Sequence, residues 1–362
     1  MRIIYIFFTS IIILSTISCD LFIKLNETEY YSDIDKNDKS VFKYGGSVNI
    51  PNPRRIEISM NGKYLYVNSI ASDIFKINLN KDGALSKPEI LDYSFFIEKC
   101  FLSKDCKFLY GLNAVSIYIY KLDINTGNVI NVDTQMSYYN GGTIGYCDIT
   151  EDGKYIYIPG DLAGLPDSLN IFEMDLNNGS AINNSVYYTS DFNPINTVKV
   201  SPDSRHVYVC GLGGGVFKFD RDINNGTISN GEQYYNANCA NLTISPDGKF
   251  VFVIVGDQII SFIRNINTGS LMEKYAFNLG TFFQSFCVSN DSKYIYAGTG
   301  AGAPNDMFIC LKINDNGFLK EDYRYDDITM DVNCYICVSP NDRSIYISSG
   351  DADKLYWFKR DF

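Results

Sequence analysis

Apolar and polar residues alternate along most of this chain in short runs. Runs such as Tyr64-Leu-Tyr-Val-Asn-Ser69 and Phe250-Val-Phe-Val-Ile254 are rich in aromatic and β-branched residues, and turn residues bound them. Short period-two patterning between Asn, Asp, Gly and Pro predicts β-strands rather than helices.

One unit recurs: an alternation, a Ser or Thr, a polar turn, a basic residue and a second alternation. Its copies are Ser59-Met-Asn-Gly-Lys-Tyr-Leu-Tyr66, Ser103-Lys-Asp-Cys-Lys-Phe-Leu-Tyr110, Thr150-Glu-Asp-Gly-Lys-Tyr-Ile-Tyr157 and Ser201-Pro-Asp-Ser-Arg-His-Val-Tyr208. Ser245-Pro-Asp-Gly-Lys-Phe-Val-Phe252, Ser289-Asn-Asp-Ser-Lys-Tyr-Ile-Tyr296 and Ser339-Pro-Asn-Asp-Arg-Ser-Ile-Tyr346 complete the set. The anchors lie 44, 47, 51, 44, 44 and 50 residues apart. That period fits a propeller blade of four short strands. In the turn, Pro presets φ, Asp bonds its own backbone and Gly takes positive φ. A second turn follows each of the first six anchors and ends in Gly83, Gly127, Gly179, Gly226, Gly269 or Gly317. Most of these read Asn-x-Gly, a hairpin signal.

By the same offset a seventh such Gly would fall at about position 363, so the last blade is expected to own three strands. An unpaired edge is a liability. The segment Val41-Phe-Lys-Tyr44, running on to Val48 and Ile50, is expected to supply the fourth, outer strand and close the ring. The expected fold is therefore all-β, a seven-bladed β-propeller of four-stranded antiparallel blades over residues 41–362.

Strands alternate in direction from hub to rim, so both turn sets lie on one uniform face. The other face carries variable loops, with insertions around Gly160 to Ser168 and Gly298 to Asp306. Variable loops on a rigid scaffold are where binding usually sits. Alternation along each innermost strand places the residues two and four before the anchor toward the hub. Four before gives Arg55, Lys99, Tyr146, Thr197, Asn241, Ser285 and Tyr335; two before gives Glu57, Phe101, Asp148, Lys199, Thr243, Cys287 and Cys337. Arg55, Lys99, Tyr146, Asn241, Tyr335, Glu57, Asp148 and Lys199 form the candidate binding set at the funnel mouth. Arg55 and Lys99 stand on adjacent blades of an acidic chain and suit a carboxylate or phosphate; salt bridging to Glu57, Glu98 or Asp148 is the alternative.

Composition narrows the chemistry. The chain has 362 residues, net charge −11, 46% hydrophobic residues and one His. A nucleic-acid binder needs a basic footprint, so this balance argues against one. One His rules out a three-His metal site. No cofactor or metal is called for, and no catalytic constellation stands out. His206 falls in a second strand where other repeats hold Tyr, Phe or Ser, which points to scaffold packing. Gly211-Leu-Gly-Gly-Gly215 lies between two strands and lacks the Gly-Lys-Ser/Thr ending of a phosphate loop. Cys334-Tyr-Ile-Cys337 sits on a strand, whereas thioredoxin chemistry needs a helix start. Nine cysteines follow Cys19, an odd number that leaves at least one unpaired within the chain.

The repeats resemble the lactonase-type, or YVTN-type, seven-bladed β-propellers. Tyr66-Val-Asn-Ser69 followed by Ile74-Phe-Lys-Ile77 is close to the motif behind the second name, and Ile156-Tyr-Ile-Pro-Gly-Asp-Leu-Ala-Gly164 resembles a lactonase strand and loop. The resemblance implies the fold and, for activity, a hydrolase opening a sugar-acid lactone. Lactonase-type propellers often carry Pro-His shortly before the innermost strand. Here those places hold Arg54, Glu98, Gly145, Asn196, Ala240, Gln284 and Cys334, and none is His. Haem-bound electron transfer, as in some related propellers, lacks its Cys-x-x-Cys-His site.

The N-terminus reads as an address. Arg2 is the only charged residue in Met1–Ser18, and Ile3 to Ile17 is mostly apolar but short for a membrane span. Ser18-Cys19 resembles a bacterial lipoprotein signal, which implies a lipidated Cys19 and an extracytoplasmic, membrane-anchored protein. The place three before Cys19 holds Thr16, where the usual signal has Leu. The expected organisation is a signal over 1–18, a lipidated tether over 19–40, then the propeller. Asp33-Ile-Asp-Lys-Asn-Asp-Lys-Ser40 lacks the Gly and Glu of a calcium loop and reads as a solvated spacer. The partners expected are a membrane through the lipid and a small anionic ligand or a protein at the variable face.

Overall fold

The computed structural model describes residues 41–70, 73–92, 97–113, 116–137, 145–160, 167–189, 194–278, 280, 282–299, 307–328, 330 and 334–361. The signal and tether expected over 1–40, and most of both insertions (161–166 and 300–306), lie outside the described residues.

Among the described residues, twenty-eight strands form seven four-stranded antiparallel sheets. Blade one is β2 (Pro53–Ile58), β3 (Tyr64–Ser69), β4 (Ile74–Asn78) and β5 (Glu89–Asp92), in that order from hub to rim. Blades two to six repeat this order from β6 (Lys99–Leu102), β10 (Asp148–Ile149), β14 (Ile195–Val200), β18 (Asn241–Ile244) and β22 (Phe283–Val288). Blade seven is β26 (Tyr335–Val338), β27 (Ser344–Ser349) and β28 (Lys354–Asp361), and its outer strand is β1 (Val41–Asn49). β1 pairs antiparallel with β28 from Val41↔Asp361 to Asn49↔Lys354, with one bulge at Gly45. The Trp357 ring explains that bulge's residue, since a Cβ on Gly45 would lie 2.2 Å from it. The N-terminal strand thus closes the ring as the sequence predicts, and Phe42 packs edge-on against Tyr296 and Phe308 of blade six.

The recurrent Ser or Thr has one job in every blade. Its Oγ accepts from the backbone N–H five residues on: Tyr64, Phe108, Tyr155, His206, Phe250, Tyr294 and Ser344. It donates to the Asn or Asp two residues on: Asn61, Asp105, Asp152, Asp203, Asp247, Asp291 and Asn341. The fourth turn residue always has positive φ, including the non-glycines Cys106, Ser204, Ser292 and Asp342.

Neighbouring blades are tied on this same face. Tyr66, Tyr157, Tyr208 and Tyr346 each donate a hydroxyl hydrogen bond to the carbonyl of the next blade's turn glycine, Gly127, Gly226, Gly269 and Gly83. Where Phe252 replaces the tyrosine, Ser261 makes that bond to Gly317. Three arginines reach back to the preceding blade's tyrosine: Arg221 to Tyr157, Arg264 to Tyr208 and Arg360 to Tyr296. His206 belongs to this scaffold. It is 4% exposed and lies against Gly269, where a Cβ would come within 2.3 Å of its ring. Arg264 Nη2 approaches its Nδ1 at 2.9 Å. A guanidinium can only donate, so Nδ1 is the acceptor and the imidazole is neutral. Burial and the Arg264 charge lower its pKa accordingly.

Candidate functional site

The hub end of each innermost strand delivers one side chain per blade, and four of the candidate residues converge there. Tyr146 belongs to blade three and Tyr335 to blade seven, blades that are not neighbours in the ring. Their rings meet at 5.8 Å, so they bridge the central channel. Lys99 of blade two places Nζ 4.5 Å from the Tyr146 centroid, and the Arg55 guanidinium of blade one lies 5.9 Å from it. Both are cation–π distances. Tyr146 also hydrogen-bonds Tyr335.

A glycine makes this arrangement possible. A Cβ on Gly145 would lie 2.6 Å from the Asn196 carbonyl oxygen. Without one, the segment closes onto the first strand of blade four. Tyr146 N donates to Asn196 O at 2.7 Å and Val198 N donates to Tyr146 O at 3.0 Å, a short parallel bridge. That fixed backbone carries the Tyr146 ring into the hub. The residues at the place of Gly145 are therefore more than the site of a missing Pro-His motif.

The charges divide into two pairs and a remainder. Arg55 Nε donates to Glu57 Oε1 at 2.9 Å. Lys199 pairs with Asp148 at 3.6 Å, and Asp148 also accepts from Val200 N at 2.8 Å. Lys99 has no carboxylate within ion-pair distance among the described residues. Arg55 Nη1 is buried and has no hydrogen-bond partner. Burial, helped by the nearby Arg55 charge, pulls the Lys99 ammonium down to about 8, against the opposing pull of Cys147 and Glu98. Burial opposes the Arg55 charge too, but Glu57 outweighs it and holds the guanidinium above its ordinary value.

Asn241 does not join the cluster. It is 6% exposed, and its Oδ1 meets Thr197 Oγ1 at 3.3 Å and Leu242 N at 2.8 Å. The short polar side chain is consumed in holding blades four and five together. Cys287 and Cys337 occupy the same level on blades six and seven, and all nine described cysteines are free thiols. Burial pushes the Cys147 thiol up to about 11, which makes it a packing residue rather than a nucleophile.

Sequence reasoning missed a second concavity, a cleft of about 550 Å³ on the turn face between blades seven and one. The readable signal was Ser344, which stands where the other repeats carry Tyr, Phe or His.

Comparison with known proteins adds the fold alone. No family model matches the chain, and no curated protein matches it. Among solved structures, hydrazine synthase of Kuenenia stuttgartiensis superposes with a TM-score of 0.64 at 14% identity, covering 91% of this chain and 99% of that one. At that identity the likeness shows a shared β-propeller and carries nothing about chemistry.

Proposed function

We propose that this protein is an extracytoplasmic, lipid-anchored propeller that binds a small anionic ligand, a carboxylate or phosphate, at the hub mouth. The observation that supports it is the pair of unspent cationic donors. Arg55 Nη1 has no partner, and Lys99 rests on a tyrosine face with no carboxylate within ion-pair distance among the described residues. A buried donor left unmade costs free energy, and an anion entering from the variable face would satisfy both groups at once. The Cys19 anchor would hold that face at a membrane-bound site outside the cytoplasm.

Calorimetric titration of the full-length chain with gluconate tests the hub. The wild type is expected to bind, and an Arg55→Ala, Lys99→Ala double variant to bind at least ten-fold more weakly. Equal affinity in both would remove the hub from the reading. For the anchor, Cys19→Ala is expected to release the protein from membranes and to abolish palmitate labelling. Wild type without label, together with a variant that still partitions, would remove it.

The lactonase-like reading has one observation in its favour, an amine held at about 8 beside a guanidinium. Lys99 could take a proton from water while Arg55 holds the developing oxyanion. Against it, both hub carboxylates are engaged by cations. Proton release in a pH-stat with sugar-acid lactones, phosphorylated ones included, separates the readings: turnover lost in the double variant makes the hub an active site.

A further inference from the structure

The turn face has seven junctions between blades, and one differs in three ways. At five junctions a ring covers the next blade's turn glycine: Tyr64 on Gly127, Phe108 on Gly179, Tyr155 on Gly226, His206 on Gly269 and Phe250 on Gly317. At the sixth, Tyr294 lies under the Arg360 guanidinium at 3.9 Å. Between blades seven and one the equivalent residue is Ser344, beside Gly83. A serine cannot fill the volume of a ring, and the cleft of about 550 Å³ opens there. That is ample for a small molecule.

The second difference is charge. Five turns carry an aspartate two residues after the anchor: Asp105, Asp152, Asp203, Asp247 and Asp291. The two turns that flank the cleft carry amides instead, Asn61 and Asn341. Both amides still support their own turns, as the aspartates do. The replacement therefore takes a carboxylate off the cleft side without changing the fold; the one that the blade-seven turn keeps, Asp342, is 8% exposed and accepts from the backbone amides of Asn290 and Asp291 in blade six. A basic residue stands two positions further on in every blade, so its presence at Lys63 and Arg343 marks nothing by itself. In four other blades that base pairs with its own turn's aspartate: Lys107 with Asp105, Arg205 with Asp203, Lys249 with Asp247 and Lys293 with Asp291. Lys63 has lost that partner and has no ion pair among the described residues.

The third difference is two further cations. Lys81 enters from the blade-one turn and Lys359 from β28, so Lys63, Lys81, Arg343 and Lys359 line the cleft against the single carboxylate of Asp82. This concentration of positive charge occurs in a chain of net charge −11.

We propose that the seam cleft is a binding site for a multiply charged phosphoryl group, on a soluble molecule or a lipid headgroup. Several point charges from lysine, arriving from two blades with one guanidinium, suit a polyanion better than a single carboxylate. The site is separate from the hub and does not depend on it.

The test restores the repeat. Asn61→Asp with Asn341→Asp puts back the carboxylates that five other turns tolerate, and Ser344→Phe puts back the ring. Full-length protein is titrated with pyrophosphate by calorimetry, and its partition onto phosphatidylcholine vesicles with and without phosphatidic acid, whose phosphomonoester can carry two charges, is measured. Wild type is expected to bind pyrophosphate or the anionic vesicles. The double aspartate variant is expected to lose at least ten-fold in affinity with an unchanged melting temperature, and Ser344→Phe to lose binding as well. Lys293→Glu, at the matching turn position of blade six, is expected to bind as wild type does. Pyrophosphate binding with no gain in partition from the anionic lipid assigns a soluble ligand, and a gain in partition that the aspartates abolish assigns a headgroup, the Cys19 lipid contributing equally to both vesicle types. Wild type that binds neither probe, or a double aspartate variant that binds as well as wild type, overturns the proposal.

Discussion

Arg264 and Arg55 are both buried guanidinium groups in the same ring, and they use their donors differently. Arg264, at the turn face, gives Nε to Tyr208, Nη1 to the Gly248 carbonyl at 3.0 Å and Nη2 to Asp203 at 3.0 Å. Its side chain is 1% exposed. Burial would raise the Asp203 pKa, but hydrogen bonds from Ser201, Arg205 N and Arg264 outweigh it and hold the carboxyl at about 2. Arg55, at the hub, gives Nε to Glu57 and leaves Nη1 unmatched. A saturated network fixes geometry, and an unsaturated one has capacity left for something else. The contrast is one of degree, since Arg221 on the turn face also leaves Nη2 unmatched; what sets the hub apart is that its unmatched guanidinium nitrogen stands near an amine that has no carboxylate within ion-pair distance among the described residues.

Removing the closing strand tests the first half of that contrast most severely. Deleting 41–49 strips β28 of its whole outer partner and removes Phe42 from the blade-six aromatic cluster. The turn-face ties remain, yet the ring has an open edge. The expected result is loss of a cooperative thermal transition. A sharp melt at the wild-type temperature would mean that those ties close the ring unaided.

The next largest effect separates the two regions directly. Arg264→Met leaves Asp203 without its buried partner and cuts the Tyr208 tie, so a loss of about 3–5 kcal/mol in unfolding free energy is expected. That loss should shrink as pH falls from about 4 toward 2, where Asp203 takes up its proton and the wild type loses the same contribution. Lys99→Met removes a desolvated ammonium that makes no ion pair among the described residues, and it is expected to leave stability unchanged or raised. Equal destabilisation by the two substitutions would erase the distinction.

The ring was legible in the sequence because its repeated parts are local. Ser201-Pro-Asp-Ser-Arg-His carries a complete turn within six residues, so its chemistry could be read from spacing alone. Ring closure followed from arithmetic on the same units. The hub is different in kind. Arg55, Lys99, Tyr146 and Tyr335 were placed on one level by counting back from the anchors, but no spacing says that Tyr146 crosses to Tyr335. That depends on Gly145 lying against the Asn196 backbone, a contact between separate blades. Asn241 shows the same limit: its position suited the mouth, and its neighbour Thr197 consumed it. The seam was readable in principle, since Ser344, Asn61 and Asn341 are departures from a pattern. Reading for what the repeats share hides the places where one repeat differs.

The hub titration should give a smaller effect than the Arg264 substitution. The Lys99 value of about 8 lies below its ordinary 10.5, so between those values the folded protein holds fewer protons than the unfolded chain. Stability from this group therefore rises with pH across that window and is lowest below about 8. The melting-temperature gap between Lys99→Met and wild type should be widest near neutral pH and close by about 10.5. Anion affinity at the hub should fall as pH rises through about 8, as the ammonium is lost. A gap that does not change with pH would mean that Lys99 is solvated, and Arg55 alone would then remain as a hub cation with an unmatched donor.

The smallest effect asks whether every departure from the turn pattern serves the ring. Cys106, Ser204, Ser292 and Asp342 hold φ between 56° and 60°, where a side chain costs about 1 kcal/mol or more relative to glycine. Three of them return that cost across a junction. Cys106 Sγ accepts from Met60 N, Ser292 Oγ accepts from Asp247 N at 3.0 Å, and Asp342 accepts from Asn290 N at 2.7 Å and Asp291 N at 3.0 Å. The fourth, Ser204, bonds only through its backbone and within its own blade, its N–H donating to Ser201 O at 2.7 Å and its carbonyl accepting from Arg221 at 2.9 Å, and a glycine keeps both bonds. Ser204→Gly should therefore stabilise by about 1 kcal/mol. Ser292→Gly should be near neutral, since it exchanges one net hydrogen bond of about 1 kcal/mol for the relief of strain. Asp342→Gly should destabilise, because two backbone amides of blade six lose a charged acceptor. Chemical denaturation of the three variants gives the ordering, and a uniform gain in all three would show that the junction bonds carry no weight and that strain alone sets these positions.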